Sequence, residues 1–280
     1  MKAYYHLEKL SDISDDYDIF LIDLWGVIHN GIRIFKNVKS VLKKLKEKNK
    51  SVFFITNAPR RSDVIQQQLN DFGIMSDLYN KVISSGELSW LYMKKNYRNK
   101  KCLMIGPPRD NHLIEGLDLD IVEQDSFVDI ILNTGPWGDQ DRLENYTALL
   151  QDLVAMKPTM ICSNPDKIVV RGEKFMICAG LLAEFYEKIG GKVEYFGKPY
   201  EEIYKYCFKF IDQKKPRVLV IGDSLENDIK GANNLKFESV LITDGIHREV
   251  NNNNNVDKQK LDALIKAKNI FPNYFMKELN

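Results

Sequence analysis

The sequence predicts an α/β protein: a doubly wound parallel-sheet, Rossmann-like core with an inserted α/β cap domain. Three observations predict it. Short apolar runs rich in β-branched residues alternate with amphipathic helical patterns from residue 18 onward. Several of these runs end in Asp, Thr-Asn or Gly-Asp, the polar strand ends where open parallel sheets bind ligands. The alternation also restarts near residue 99 and again near residue 196, which divides the chain into core 1–98, cap 99–195 and core 196–280.

Taken in order, residues 18–23 form the first strand and 38–48 a helix, with Val38, Val41, Leu42 and Leu45 at helical spacing. Residues 52–56 are β-branched and aromatic and read as a strand; 62–72 is a helix stopped by Gly73, and 85–95 is another helix. The cap opens with strand 101–105 and a loop at Gly106-Pro107-Pro108-Arg109. Strands 128–133 and 159–163 flank a helix at 144–156, helix 176–190 ends at Gly190-Gly191, and strand 192–196 leads back to the core. The last third reads as helix 201–211, strand 217–222, helix 226–235 and strand 239–243. The Asn run at 251–255 reads as a polar surface loop, followed by a helix at 257–267.

Bulk properties narrow the function. The chain has 280 residues, is 44% hydrophobic and 28% charged, and carries a net charge of +1, so neither a nucleic acid nor an anionic membrane is expected as a partner. Its apolar runs are too short to span a bilayer, and its first residues are too charged for a signal peptide. Four widely spaced cysteines, Cys102, Cys162, Cys178 and Cys207, form no CxxC pair and read as reduced thiols of a cytoplasmic protein.

The chemistry is expected at four strand ends: Asp23; Thr56-Asn57; Gly197-Lys198-Pro199; and Gly222-Asp223 with Asp228 five residues on. In a parallel sheet these ends converge on one crevice. Three carboxylates suit Mg²⁺, a hard ion that prefers oxygen ligands. A hydroxyl, backbone N–H groups and an ammonium suit a phosphate. Singly, an aspartate here reads better as a turn or helix cap; as an ordered set, each just after an apolar strand, these residues point to phosphoryl transfer with Asp23 attacking phosphorus.

On these residues the chain resembles the haloacid dehalogenase-like hydrolase superfamily, in particular its NagD-like class IIA phosphatases. Gly26-Val27-Ile28-His29-Asn30-Gly31 resembles that class's Gly-Val-Leu-x-x-Gly flap, and Gly197-Lys198-Pro199 and Asn164-Pro165-Asp166 also have counterparts. The resemblance implies Mg²⁺-dependent hydrolysis of a small phosphorylated substrate through an aspartyl-phosphate on Asp23. It places Mg²⁺ on the Asp23 side chain, the Trp25 carbonyl and Asp223, with Asp228 in support, and phosphate oxygens on Thr56 and Lys198. Asn57, Asn164, Asp166 and Arg171 are the remaining expected substrate contacts, Arg171 facing an anionic part of the substrate from a cap loop. Relatives often pair through the cap, so a homodimer is expected there.

Two positions depart from the family pattern: Thr56-Asn57-Ala58-Pro59 stands where phosphatases of this class often read Thr-Asn-Asn-Ser, and the first motif differs as well. Its second aspartate, the general acid/base, is Trp25 here, and indole is a donor only. His29 on the flap is the nearest replacement for the proton transfer, its ordinary pKa range suiting the task. Two alternatives follow from Trp25. A carbon–halogen hydrolase also carries an aromatic residue there but lacks the acidic metal motif seen at 222–228. A non-catalytic module would keep Mg²⁺ and phosphate only for binding.

Overall fold

The computed structural model describes residues 4–171, 174–252 and 255–280, without the Arg171 side chain. The chain divides into two compact units: the first is Met1–Thr56, Gln66–Ile83 and Tyr204–Asn280, the second Asn57–Ile65 and Ser84–Ile203. The sequence expectation set the insert at 99–195; the compact second unit also takes in 57–65, 84–98 and 196–203. Helix Ser85–Asn96 explains part of that difference, because its Trp90 and Met93 are buried with Cys102, Ile130, Leu132 and Ile161.

The first unit is built on a seven-stranded sheet in the order Tyr5–His6, Tyr274–Met276, Glu238–Ile242, Val218–Gly222, Ile19–Ile22, Ser51–Thr56, Lys81–Ser84. Ile19–Ile22 is buried at every position, as a strand covered on both faces requires. It pairs in parallel with Ser51–Thr56 on one side and Val218–Gly222 on the other. From Ile19–Ile22 the chain winds outward through 51–56 and 81–84, then resumes at 218–222 and winds the other way. The order therefore reverses between Ile19–Ile22 and Val218–Gly222, the switch point where such sheets open a crevice. Helix Val38–Glu47 buries Val38, Val41, Leu42 and Leu45, the stripe its sequence pattern predicts. Helix Lys258–Lys268 is capped by Asp257, whose carboxylate accepts from the N–H groups of Gln259 and Lys260 at 3.0 and 3.2 Å.

The second unit holds a five-stranded sheet in the order Lys192–Tyr195, Thr159–Cys162, Ile130–Asn133, Lys100–Ile105, Leu119–Ile121, all pairs parallel. Strand alternation sorts its side chains onto two faces. Leu103, Ile131 and Met160 pack with Leu150 and Leu153 of helix Thr147–Met156 and Leu182 and Tyr186 of helix Ala179–Lys188. Cys102, Ile130, Leu132 and Ile161 face Trp90 and Phe196.

Three expectations are corrected. Met176 and Ile177 are not helical: Lys174–Ile177 pairs antiparallel with Ile168–Arg171, and the helix begins only at Ala179. The apolar run 176–179 feeds a helix without a break in hydrophobicity, so the sequence hides where strand stops. Consequently Arg171 ends a strand of this hairpin and does not lie on an irregular loop; Gly172 and the Arg171 side chain lie outside the described residues. The Asn run contains a short hairpin, Asn251–Asn252 against Asn255–Val256, anchored by Asn251, which donates to the Thr243 carbonyl at 3.0 Å and accepts from its hydroxyl at 2.8 Å. Among the described residues no helix is long and apolar enough to cross a membrane.

Candidate active site

At the switch point, three carboxylates come together. Asp23 follows strand Ile19–Ile22, with its N–H bonded to the Ile221 carbonyl at 2.8 Å. Asp223 follows Val218–Gly222, and Asp228 lies on the helical turn after it. Asp23, Asp223 and Asp228 are all buried and offer oxygen atoms within 4.8 Å of one another. Three carboxylates held this closely away from water repel unless a cation joins them. An all-oxygen donor set suits a hard divalent ion such as Mg²⁺, so the residues present fit the expected metal. Thr56, the last residue of the neighbouring strand, is buried at the same end of the sheet.

The surrounding backbone holds these carboxylates in place. Asp223 accepts from the Ile246 N–H at 2.8 Å, and Asp228 from the Ser224 N–H at 3.1 Å. Gly26 has φ +79°, and a Cβ on it or on Gly245 would collide with the Asp223 carboxylate, so both loops approach that group through bare backbone. Gly245 and Ile246 were missed by sequence reasoning. The signal available was a Thr243-Asp244-Gly245 turn directly after an apolar strand. His247 follows: its Nε2 accepts from the Leu225 N–H at 3.2 Å, and burial lowers its pKa from the ordinary value of 6.5, against the opposing pull of Glu249 and Glu226. It is thereby a neutral brace for the turn that carries Asp228.

His29, expected as a proton carrier, is placed in the packing of the flap. It is 3% exposed, its Nδ1 accepts from the Gly31 N–H at 3.0 Å, and its ring lies 5.5 Å from that of Trp25 and 5.3 Å from that of Phe72. Trp25 is half-buried, with its indole against Gly31, where φ is +82° and a Cβ would strike the six-membered ring.

The second unit contains the other expected residues. Asn57, expected at the substrate, spends its side-chain amide on structure: Nδ2 donates to Asp166 at 2.8 Å and to the Lys198 carbonyl at 3.0 Å, and Oδ1 accepts from the Lys198 N–H at 2.7 Å. This two-way bond fixes the Lys198 backbone, and a Cβ on Gly197 would collide with the Asn57 side chain. Lys198 is 2% exposed, a burial that an ammonium tolerates only with polar or anionic company. Asn164 accepts the Asp166 N–H at 3.0 Å in a tight local turn. Asn57, Asp166 and Lys198 thus belong to one bonded group within the unit, while Arg171 stands at the end of the hairpin. The cysteines are buried, and burial raises their pKa, that of Cys162 to about 12, which removes them as nucleophiles.

Comparison with known proteins gives a consistent relationship. A model of the family described as haloacid dehalogenase-like hydrolase matches residues 20–120, and a second, HAD-hydrolase-like, matches 195–266. A 4-nitrophenylphosphatase of Schizosaccharomyces pombe is 22% identical over 97% of this chain and 95% of its own. Among solved structures, a haloacid dehalogenase-like hydrolase from Brucella suis superposes with a TM-score of 0.85 at 29% identity, covering 98% of this chain and 100% of that one. The glycerol phosphate phosphatase Rv1692 of Mycobacterium tuberculosis, in complex with magnesium, shares the fold with a TM-score of 0.63 at 20% identity, over 84% of this chain and 70% of that one.

Proposed function

From the premise that the chain belongs to the haloacid dehalogenase-like hydrolases, we propose that this phosphoric monoester hydrolase uses Mg²⁺ and an aspartyl-phosphate on Asp23 to cleave a small phosphorylated metabolite. One observation carries the reading: the buried Asp23, Asp223 and Asp228 carboxylates converge at the switch point of the sheet. Asp23 and Asp223 would hold the ion, with the Trp25 carbonyl beside them and Asp228 in support. When bound, the ion offsets carboxylate repulsion and draws negative charge from the phosphoryl oxygens.

The Asp23 carboxylate attacks phosphorus, the bond to the leaving oxygen breaks, and water then releases phosphate and regenerates Asp23. The Thr56 hydroxyl donates to a phosphoryl oxygen. Lys198 supplies the cationic charge that the resemblance assigns to it, on a backbone clamped by Asn57. Because the Asn57 amide is committed to that clamp, Asn57 acts as a positioning residue and not as a substrate contact. Metal-free halide displacement is disfavoured, since it gives the three packed carboxylates no cation.

The test is phosphate release from a panel of monoesters, with and without Mg²⁺, by the wild type and Asp23→Asn. Turnover that needs both Mg²⁺ and Asp23 supports the assignment. Halide release from a haloacid without metal, or ligand binding with no turnover of any ester, overturns it.

A further inference from the structure

Two histidines near the carboxylate cluster in the chain, His29 on the flap and His247 after Gly245-Ile246, already hold hydrogen bonds. The chain leaves Asp23 through Leu24 and Trp25 to Gly26, whose backbone lies against the Asp223 carboxylate. Along the chain Trp25 therefore lies between Asp23 and a glycine whose backbone touches Asp223. The indole is wedged by His29, itself backed by Phe72, and by the Cβ-less Gly31. His29 holds that wedge by accepting the Gly31 N–H on Nδ1. His247 uses Nε2 to accept the Leu225 N–H. The side chain this loop carries two residues after Asp23 is thus an indole, which neither gives up its proton to an alkoxide nor accepts one from water.

We propose that Trp25 is a specificity-determining residue that restricts the enzyme to phosphate compounds whose leaving group departs as a stable anion, namely aryl phosphates, acyl phosphates and phosphoanhydrides. The inference rests on the phosphatase reading above. In the first step the Asp23 oxygen forms a bond to phosphorus, and the electron pair of the broken P–O bond stays on the leaving oxygen as RO⁻, which takes its proton later from solvent. In the second step water adds to the phosphorus of the aspartyl-phosphate, the Asp23–phosphorus bond breaks with its electrons returning to the carboxylate, and the proton of water passes to bulk solvent. Neither step has help from the side chain at position 25. An alcohol leaving group makes the first step slow. With a good leaving group the second step limits turnover, and phosphorylated enzyme accumulates.

The experiment is a series of substituted phenyl phosphates and simple alkyl phosphates, assayed with Mg²⁺ on the full chain. For the wild type, kcat/KM should fall about tenfold for each unit rise in leaving-group pKa, the dependence of a group that leaves with its full charge. Over the reactive end of the series kcat should be constant, with a burst of about one phenol per enzyme, as an accumulating covalent intermediate gives. Trp25→Asp should flatten the slope and raise kcat/KM on alkyl phosphates by about 10²-fold, the lower range of general acid catalysis. Trp25→Phe should keep the steep slope, so the test stands even where the aspartate variant folds poorly. A shallow slope in the wild type, with alkyl esters cleaved as fast as aryl esters, overturns the proposal while leaving the phosphatase reading intact. No turnover of any member overturns the phosphatase reading itself.

Discussion

The two units carry parallel sheets of the same kind, yet the polar groups at their strand ends are put to different use. In the first unit the carboxyl ends at the switch point hold Asp23, Thr56 and Asp223, with carboxylates packed against one another. In the second, two of the corresponding ends hold the neutral Asn133 and Ser163, which are used internally, while the end of Lys192–Tyr195 leads on to the buried Lys198. Asn133 donates to the Ala179 carbonyl at 3.0 Å, and Ser163 donates to the Ser89 hydroxyl at 2.7 Å. Ser85 adds a bond to the Ser163 carbonyl at 2.5 Å. A polar strand end is thus no sign of chemistry in itself. The informative difference is clustering of like charge: the Asn133 amide N–H and the Ser163 hydroxyl bond within the fold, whereas packed carboxylates raise its energy until a cation joins them.

Breaking the charged set should have the largest effect. Asp23→Asn should lower kcat by about 10⁴-fold or more, as loss of a covalent nucleophile does, while melting temperature holds or rises because one buried charge has gone; a stopped assay and a thermal melt check both. Next, Asp228→Asn should weaken Mg²⁺ binding by about 10- to 100-fold, the effect of losing a supporting group around a metal, read by isothermal titration. Mg²⁺ itself should stabilise the wild type by about 2.7 kcal/mol at a hundred times its dissociation constant. That gain should vanish in Asp223→Asn, as thermal melts with and without the ion would report.

Substitution in the neutral set should act on stability alone. Asn133→Ala should cost about 1–3 kcal/mol, the usual penalty when a buried bonding partner is left unpaired, with kcat/KM unchanged; denaturant melts and one assay suffice. A kinetic defect there would erase the contrast between the sheets.

The smallest expected effect concerns pH. Burial depresses the His247 pKa in the folded chain, so as pH falls through about 6.5 the unfolded chain takes up the proton first. The His247 contribution to stability is therefore complete above that value and declines below it, until pH passes the folded pKa. His247→Gln, which keeps an acceptor for the Leu225 N–H, should flatten the decline; equal pH slopes in the two proteins would remove His247 from this role.

The parts of the fold legible in sequence were those written in apolar runs. Residues 19–22, 51–56 and 218–222 are continuous buried strands, and the polar residue after each is visible by inspection. Strands Tyr5–His6 and Tyr274–Met276 were not, because strands of two and three residues carry no period and depend on neighbours distant in the chain. The hairpin 168–177 was hidden because its second strand runs into an apolar helix. In the site, the types of residue were legible and their partners were not. Asn57 reads as a substrate contact until its bonds to Asp166 and Lys198, 109 and 141 residues away, are seen. His29 is legible as a flap histidine, whereas the packing of its ring near Trp25 and Phe72 is not.

Everything proposed for this site turns on Asp23, within its carboxylate cluster, forming a bond to phosphorus. The direct measurement is an acid quench of enzyme mixed with ³²P-labelled aryl phosphate and Mg²⁺, followed by peptide mapping. Label should appear on the peptide that contains Asp23, and should be absent without Mg²⁺ and absent in Asp23→Asn. Phosphate release at the wild-type rate by Asp23→Asn, or label on any other residue, would contradict it.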